Sequence, residues 1–424
     1  RGCCTGWAQT SPVLNTMAGG CDRRRGLVVA LVALAPVLGQ KIVPPRWSHT
    51  RSPRGWLYKG EPRTYHVLNP TRGNMEPGTV PTILAYHGNG ADAAAFALQL
   101  PVLVAEGRAR GYMLVFPEGV QTEGSQLRCK ERSWNSGSCC DEAVLNDVDD
   151  VGFTHAVIDD LLARFPSVDP NRIYVTGSSN GGGMSVRLAC EMPERLAAVG
   201  PEIGSLEAAD GSACASRCEP DGDGIYESCE WNSALPGCSA TELLSQLPAV
   251  YTCSKLKANP TPMLFFNGDL DPFSNISGLI QRPIDRKPNA SLYASTFPPM
   301  EAAIEALREA SGCSNHATTI SFSNGTKGNS TTCTTYHTSG GCRANFTYCL
   351  SEAGHRWYGS SYDQYNLCLW EGYSKEDCNP IDDLELYGPN TLSISVAYQL
   401  LDFFDAHRLA PPPSPRVAAD VAQG

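Results

Sequence analysis

Four absences narrow what this sequence can do. It has no surplus of positive charge: 33 Lys and Arg against 44 Asp and Glu leave a formal charge of -11, which repels phosphate backbones and anionic bilayers. It has no CxxC pair matched by a second pair or by an HxxxH partner, so its 18 cysteines carry no zinc pattern. It has no apolar run approaching the roughly 20 residues of a membrane-spanning helix. It also shows no internal repeat, which removes solenoids and propellers. What is left is a partner that is neutral or weakly polar, with no nucleic acid and no stable membrane insertion. At 42% hydrophobic over 424 residues the chain can bury a large core, in one big domain or two smaller ones.

The N-terminus carries an address. Arg23, Arg24 and Arg25 precede an apolar run over 27–38, and Gly39 supplies a small residue for cleavage. The chain begins at Arg1 while Met17 stands just before the arginines, so residues 1–39 are expected to be a non-native start plus a signal peptide, with translation beginning at Met17. Export puts the protein outside the cell. Three of the 18 cysteines (Cys3, Cys4, Cys21) precede residue 40, and the fifteen that follow are expected to form disulfides, their odd number leaving one thiol over. Sequons at Asn275, Asn289, Asn324, Asn329 and Asn345 are expected at the surface as glycosylation acceptors.

From residue 40 onward, apolar strands run repeatedly into Gly-rich loops and then into helical spacing. PTILAYHGNG (residues 81–90), MLVFPEG (113–119), the RIYVTG segment and PMLFFNGDLD each read as a strand ending in a loop. DVDDVGFTHAVIDDLLARF (147–165) has apolar residues at helical spacing behind an acidic first turn, GGGMSVRLAC follows as another helix, and residues 393–408 read as a terminal helix. Alternating strands and helices predict an α/β fold, a mostly parallel sheet with helices on both faces. Two Cys- and polar-rich stretches, at about 206–250 and 280–350, are expected as disulfide-stapled insertions in one catalytic domain over 40–409. The Pro-rich tail, 410–424, is expected to be disordered.

Between RIYVT and the glycine-rich helix stands Gly177-Ser178-Ser179-Asn180-Gly181. A serine held on a tight strand-to-helix turn projects its hydroxyl into a cleft, and small residues two positions either side relieve the crowding. A hydroxyl needs a base to take its proton and a carboxylate to orient that base, and in this fold they follow in the order Ser, acid, His. Of the later histidines, His316 and His337 lie in the Thr- and Ser-rich stretch and His407 ends the terminal helix. His355, in a Gly-flanked loop before that helix, is where the base belongs. Asp269 and Asp271 both follow the apolar run MLFF, and either qualifies as the acid or as a turn-former. The main-chain amides of Asn180 and Asn89 are placed to receive an oxyanion, which makes His87 a structural residue.

Taken together, YHGNGADAAAF, FPEG, SWNSGSCC, DDVGF, DPNRIYVTGSSNGGGMSVRLAC, FFNGDLD and GHRWYG, in this order over roughly residues 55–405, resemble the secreted polyhydroxybutyrate depolymerase and feruloyl esterase-like family. The resemblance implies an α/β-hydrolase fold and metal-free, cofactor-free ester cleavage. It implies Ser179, Asp271 and His355 as triad, Asn89 and Asn180 as oxyanion donors, and Trp357 near the substrate. The chain departs from the family pattern at Asn267, where a His is common, at Tyr358, where a Pro is common, and at Gly183, where a Met is common.

Three further features have competing readings. Glu219 to Glu230 sets acidic residues at calcium-loop spacing, against which stands a plain Cys-framed acidic turn. Asp149 and Asp150 are a helix first-turn pair or structural partners rather than paired catalytic carboxylates. Trp134 either stacks on an aromatic acyl group or packs in the core beside a disulfide. The expected activity is a serine ester hydrolase acting on feruloyl or acetyl esters of plant polysaccharides. A polyhydroxyalkanoate depolymerase, a peptidase and a non-catalytic hydrolase-like ectodomain are the alternatives. Because the base works only as neutral imidazole, activity is expected to fall below about pH 6 to 7.

Overall fold

The protein is described here from a computed structural model, covering residues 45–73, 75–121, 132–205, 215–220, 226–232, 234–236, 253–271, 279–283, 296–314, 316–323, 329–359 and 389–409. The chain divides into two units, Arg1–Lys41 and Ile42–Gly424, and all described residues belong to the second. The expected leader, Cys3, Cys4, Cys21, the C-terminal tail and the sequons Asn275, Asn289 and Asn324 lie outside the described residues.

Ten strands make one sheet: β1 (His49–Arg51), β2 (Tyr65–Leu68), β3 (Val80–Tyr86), β4 (Met113–Pro117), β5 (Val168–Ser178), β6 (Ala198–Glu202), β7 (Met263–Gly268), β8 (Ala317–Ser323), β9 (Ser330–Tyr336) and β10 (Phe346–Ser351). Their spatial order is β1-β2-β4-β3-β5-β6-β7-β10-β9-β8. From β4 through β10 in that order the strands run parallel, flanked by antiparallel pairs at both edges. The helices are α1 (Ala93–Gln99), α2 (Pro101–Ala109), α3 (Asp150–Arg164), α4 (Asn180–Glu191), α5 (Ser254–Ala258), α6 (Met300–Ala310) and α7 (Val396–Asp405), with a short one at Asp141–Leu145. This is the α/β-hydrolase arrangement expected from the motifs.

The central parallel strands β3, β4 and β7 are apolar without alternation because both faces are covered. β3, β4 and β7 are buried at every residue. Leu84 and Tyr86 of β3 join the cluster that also holds Phe153, Met184 and Leu307, while Ile83 and Ala85 join Phe96, Leu103 and Leu400 in a second cluster. Helix starts follow local chemistry: the Asp92 carboxylate accepts from the Ala95 N–H at 2.8 Å and caps α1, and Asp149 accepts from the Gly152 N–H at 2.7 Å and caps α3.

The structure departs from the expected insertion over 280–350. α6 packs its apolar face into the core, and β8, β9 and β10 continue the central sheet, β10 pairing in parallel with β7. Their Thr- and Ser-rich composition reflects position: β8 is the sheet's edge and almost wholly exposed, so no apolar pattern is required of it. In the other stretch, Ala215–Pro220 and Tyr226–Trp231 pair with Leu279–Pro283 and Thr296–Phe297 in a separate four-stranded sheet, stapled by Cys218–Cys229. Residues 221–225 of the suggested calcium loop lie outside the described residues. Disulfides also join Cys139 to Cys140, Cys190 to Cys253, Cys313 to Cys342 and Cys333 to Cys349. The two described sequons are half-buried and engaged: Asn329 Oδ1 accepts from the Leu392 N–H at 2.8 Å, and Asn345 Oδ1 from the Thr338 N–H at 3.0 Å.

Candidate active site

Strand order 4-3-5 places a topological switch between β3 and β5, and in open parallel sheets such a switch opens a crevice at the carboxyl ends of the strands. Ser179 sits there, between the last residue of β5 and the first of α4, with φ 57° and ψ -122°. This backbone conformation costs a non-glycine residue about 1–3 kcal/mol and persists only where the surroundings enforce it. They do. The Ser179 N–H donates to the Glu202 carbonyl at 3.1 Å, and the Ser179 carbonyl accepts from the Gly183 N–H at 2.9 Å. Glycine is obligatory on either side: a Cβ on Gly177 would lie 2.3 Å from the Gly181 carbonyl oxygen, and one on Gly181 would lie 2.0 Å from that of Tyr86.

The loops after β7 and β10 are pinned to each other. The Asp269 N–H donates to the Ser351 carbonyl and the Leu270 N–H to the Ala353 carbonyl, both at 3.0 Å. Gly268 passes so close that a Cβ would meet the Ala353 oxygen at 2.0 Å. This pairing carries Asp271, 5% exposed, to His355: Asp271 Oδ2 lies 2.7 Å from His355 Nδ1, and His355 Nε2 lies 2.7 Å from Ser179 Oγ. With Asp271 ionised, Nδ1–H donates to the carboxylate and Nε2 is left to accept the serine proton. Asp269 is exposed and bonds main-chain N–H groups of its own turn and of Ala353, its carboxyl raised by partial burial and by the neighbouring Glu352. Of the two candidate acids, only Asp271 meets the histidine.

The two departures near this site are structural. Asn267 is buried and donates through Nδ2 to the Gly204 carbonyl at 3.1 Å. Tyr358 is fully buried and donates its hydroxyl to the Gly354 carbonyl at 3.0 Å, bracing the loop that bears His355.

Asn89 lies exposed in the loop after β3, and Asn180 opens α4. A Cβ on Gly88 would come 3.4 Å from Ser179 Cβ and 4.0 Å from its Oγ, so the Asn89 loop lies directly against the serine. His87 beneath it has no exposed surface. Its Nε2 accepts from the Gly119 N–H at 3.0 Å, so Nδ1 carries the proton donated to the Gly88 carbonyl at 2.8 Å, and burial pushes the imidazole below its ordinary value.

Trp134 does not line the site. It is 0% exposed, its indole N–H donates to the His87 carbonyl at 3.0 Å, and its ring packs edge-on against Tyr86. A ring without exposed surface has no face free to stack on an acyl group. Its main chain braces the Ser179 turn instead: the Trp134 N–H donates to Asn180 Oδ1 at 2.8 Å, and Asn180 Nδ2 donates to the Trp134 carbonyl at 3.0 Å. Trp357, 8% exposed, packs edge-on against Phe96 two residues after His355.

Behind this brace lies Asp150, a structural partner rather than a simple first-turn feature. Asp150 accepts from the Asn135 N–H through Oδ2 at 2.7 Å and meets Arg63 Nη2 through Oδ1 at 2.7 Å, both side chains essentially without exposure. The Arg63 guanidinium lies over the Phe153 ring at 3.9 Å. Arg63 carries no motif signal, since only the fold brings it to Asp150. Among the described residues, no group of three or more His, Cys, Asp or Glu side chains could hold a metal, and no helix is long and apolar enough to cross a membrane.

No family model matches the chain. Over 106 residues it is 37% identical to feruloyl esterase B of Piromyces equi, which spans 24% of this chain and 18% of that protein. Over 157 residues it is 31% identical to the candidate esterase NocK of Nocardia uniformis subsp. tsuyamanensis, 37% of this chain and 42% of that one. The chain thus spans less than half the length of these curated relatives. Among solved structures, acetyl xylan esterase from Aspergillus awamori aligns over 74% of this chain and 94% of its own, at 14% identity and a TM-score of 0.43.

Proposed function

We propose that this chain is an exported serine carboxylic ester hydrolase that cleaves feruloyl or acetyl esters of plant polysaccharides. The observation that carries the reading is the continuous line from Asp271 through His355 to Ser179, with both links at 2.7 Å, on the carboxyl ends of a parallel sheet. His355 takes the Ser179 proton as Oγ attacks the ester carbonyl, and the oxyanion rests on the Asn89 and Asn180 amides. Collapse breaks the bond to the alcohol, which leaves with the proton from His355. Water then attacks the acyl-enzyme with His355 again as base, releasing the acid and restoring Ser179. Asp271 holds the imidazole in its tautomer and balances the imidazolium throughout.

The feruloyl choice is supported by the relative named feruloyl esterase B, and export by the apolar run behind three arginines together with the disulfides. Hydrolysis of short p-nitrophenyl esters beside methyl ferulate, by the intact protein and by Ser179→Ala, tests it. The expected result is Ser179-dependent cleavage with methyl ferulate preferred. Cleavage of short aliphatic esters alone would replace the feruloyl reading by acetyl ester or polyhydroxyalkanoate hydrolysis. Cleavage of neither would leave a non-catalytic ectodomain.

A further inference from the structure

The strand beside the nucleophile strand ends in a buried acid that the mechanism above does not use. Glu202, the last residue of β6, has no exposed surface. It touches the nucleophile turn twice. Its main-chain carbonyl accepts the Ser179 N–H at 3.1 Å, and its Oε2 accepts the hydroxyl proton of Ser178 at 2.6 Å. The following helix is fitted to it as well: a Cβ on Gly182 would lie 2.5 Å from the Glu202 carbonyl oxygen, so α4 can settle there only with glycine. Among the described residues no Lys, Arg or His pairs with Glu202.

We propose that Glu202 is a positioning residue that holds the Ser178–Ser179 turn as an uncharged carboxyl, and that ionising it shuts the site down. This rests on the reading of Ser179 as nucleophile. A buried carboxylate with only the Ser178 hydroxyl and the Tyr358 main-chain N–H as donors and no cation is a costly arrangement, while a neutral acid at the same place carries no charge to compensate. The titratable groups facing it are Asp271, from the loop after β7, and Tyr358, from the loop after β10; β5 and α4 present Ser178 and glycine. Burial pushes the Glu202 carboxyl well above its ordinary value and the Asp271 charge adds to this, with the Ser178 hydroxyl and the Tyr358 N–H offsetting only part. A second negative charge beside Asp271 would over-stabilise the protonated form of His355, which cannot act as base, and would pull on the turn that aims Ser179.

The sign for stability follows from the same direction. The fold keeps a proton that the unfolded chain gives up near the ordinary glutamate value, about 4.3, so this group's contribution declines as pH rises from there toward the raised value in the fold. Glutamine keeps the acceptor for Ser178 and cannot ionise. The test is kcat and KM across the pH range, with apparent melting temperature, for the wild type, Glu202→Gln, Glu202→Ala and Ser179→Ala.

The expected result has Glu202→Gln within a few-fold of wild type at neutral pH while holding its activity and melting temperature further into the alkaline range. Glu202→Ala is expected to lose on the order of 100-fold in kcat with KM little changed, as displacement of a nucleophile does. Glu202→Gln as damaged as Glu202→Ala, or sharing the wild-type pH profile, would overturn the proposal, and that comparison stands even if Glu202→Ala fails to fold. Full activity in Ser179→Ala would instead overturn the nucleophile assignment beneath it.

Discussion

Ser179→Ala is expected to lower kcat by about 10⁴- to 10⁶-fold while leaving the melting temperature close to wild type. The size follows from what the hydroxyl does. In the proposed mechanism the three side chains act as one unit, so removing the nucleophile should forfeit nearly all they contribute together, and adding His355→Ala to it should cost little more. The fold is indifferent to the change because the turn is held by main-chain hydrogen bonds, to the Glu202 carbonyl and from the Gly183 N–H, which alanine keeps. Asp271→Asn should lose about 10⁴-fold, since its amide can present an N–H to His355 Nδ1 and favour the wrong tautomer. Steady-state kinetics on a p-nitrophenyl ester, beside thermal melts, check both.

The second large effect is on stability. Asp150→Asn should destabilise the protein by about 3–5 kcal/mol, because it strands the Arg63 guanidinium without its counter-charge where neither side chain reaches water. Asparagine still offers an oxygen to the Asn135 N–H, so the loss is chiefly electrostatic. Combining it with Arg63→Met removes the stranded charge and keeps packing against Phe153, and this double variant should be more stable than Asp150→Asn alone. Apparent melting temperatures at one scan rate measure the order. Activity of the single variant should fall too, because Asn135 adjoins Trp134, whose main chain braces Asn180.

The parts legible in the sequence were those whose physics is local. VPTILAY, MLVFP and MLFFNG read as buried strands because a parallel strand covered on both faces is apolar throughout. The glycines around Ser179 announce a tight turn for a reason now expressed as distances of 2.3 Å and 2.0 Å to main-chain oxygens. What stayed hidden depends on register across the sheet. Asp269 and Asp271 are equivalent as residue types, and only the pairing of their loop with Ser351 and Ala353 leaves one exposed on its own turn and brings the other to His355.

Trp134 was ambiguous because an indole suits a binding cleft or a core equally, until its N–H is found on the His87 carbonyl. The strand Ala317–Ser323 looked like part of an insertion because an edge strand needs no apolar pattern. Glu202 left one trace, a lone acid between Val199 and Ile203 in an otherwise uncharged run. Arg63 left none.

The central claim is that Ser179 is an activated nucleophile. Incubating the intact protein with a fluorophosphonate, digesting it and locating the adduct by mass spectrometry tests this most directly, since the reagent phosphonylates a serine whose proton is being taken, with loss of fluoride. One adduct per chain on the peptide containing Ser179, absent in Ser179→Ala and strongly slowed in His355→Ala, is the predicted result. An unmodified Ser179, or an adduct elsewhere that persists in both variants, would contradict it.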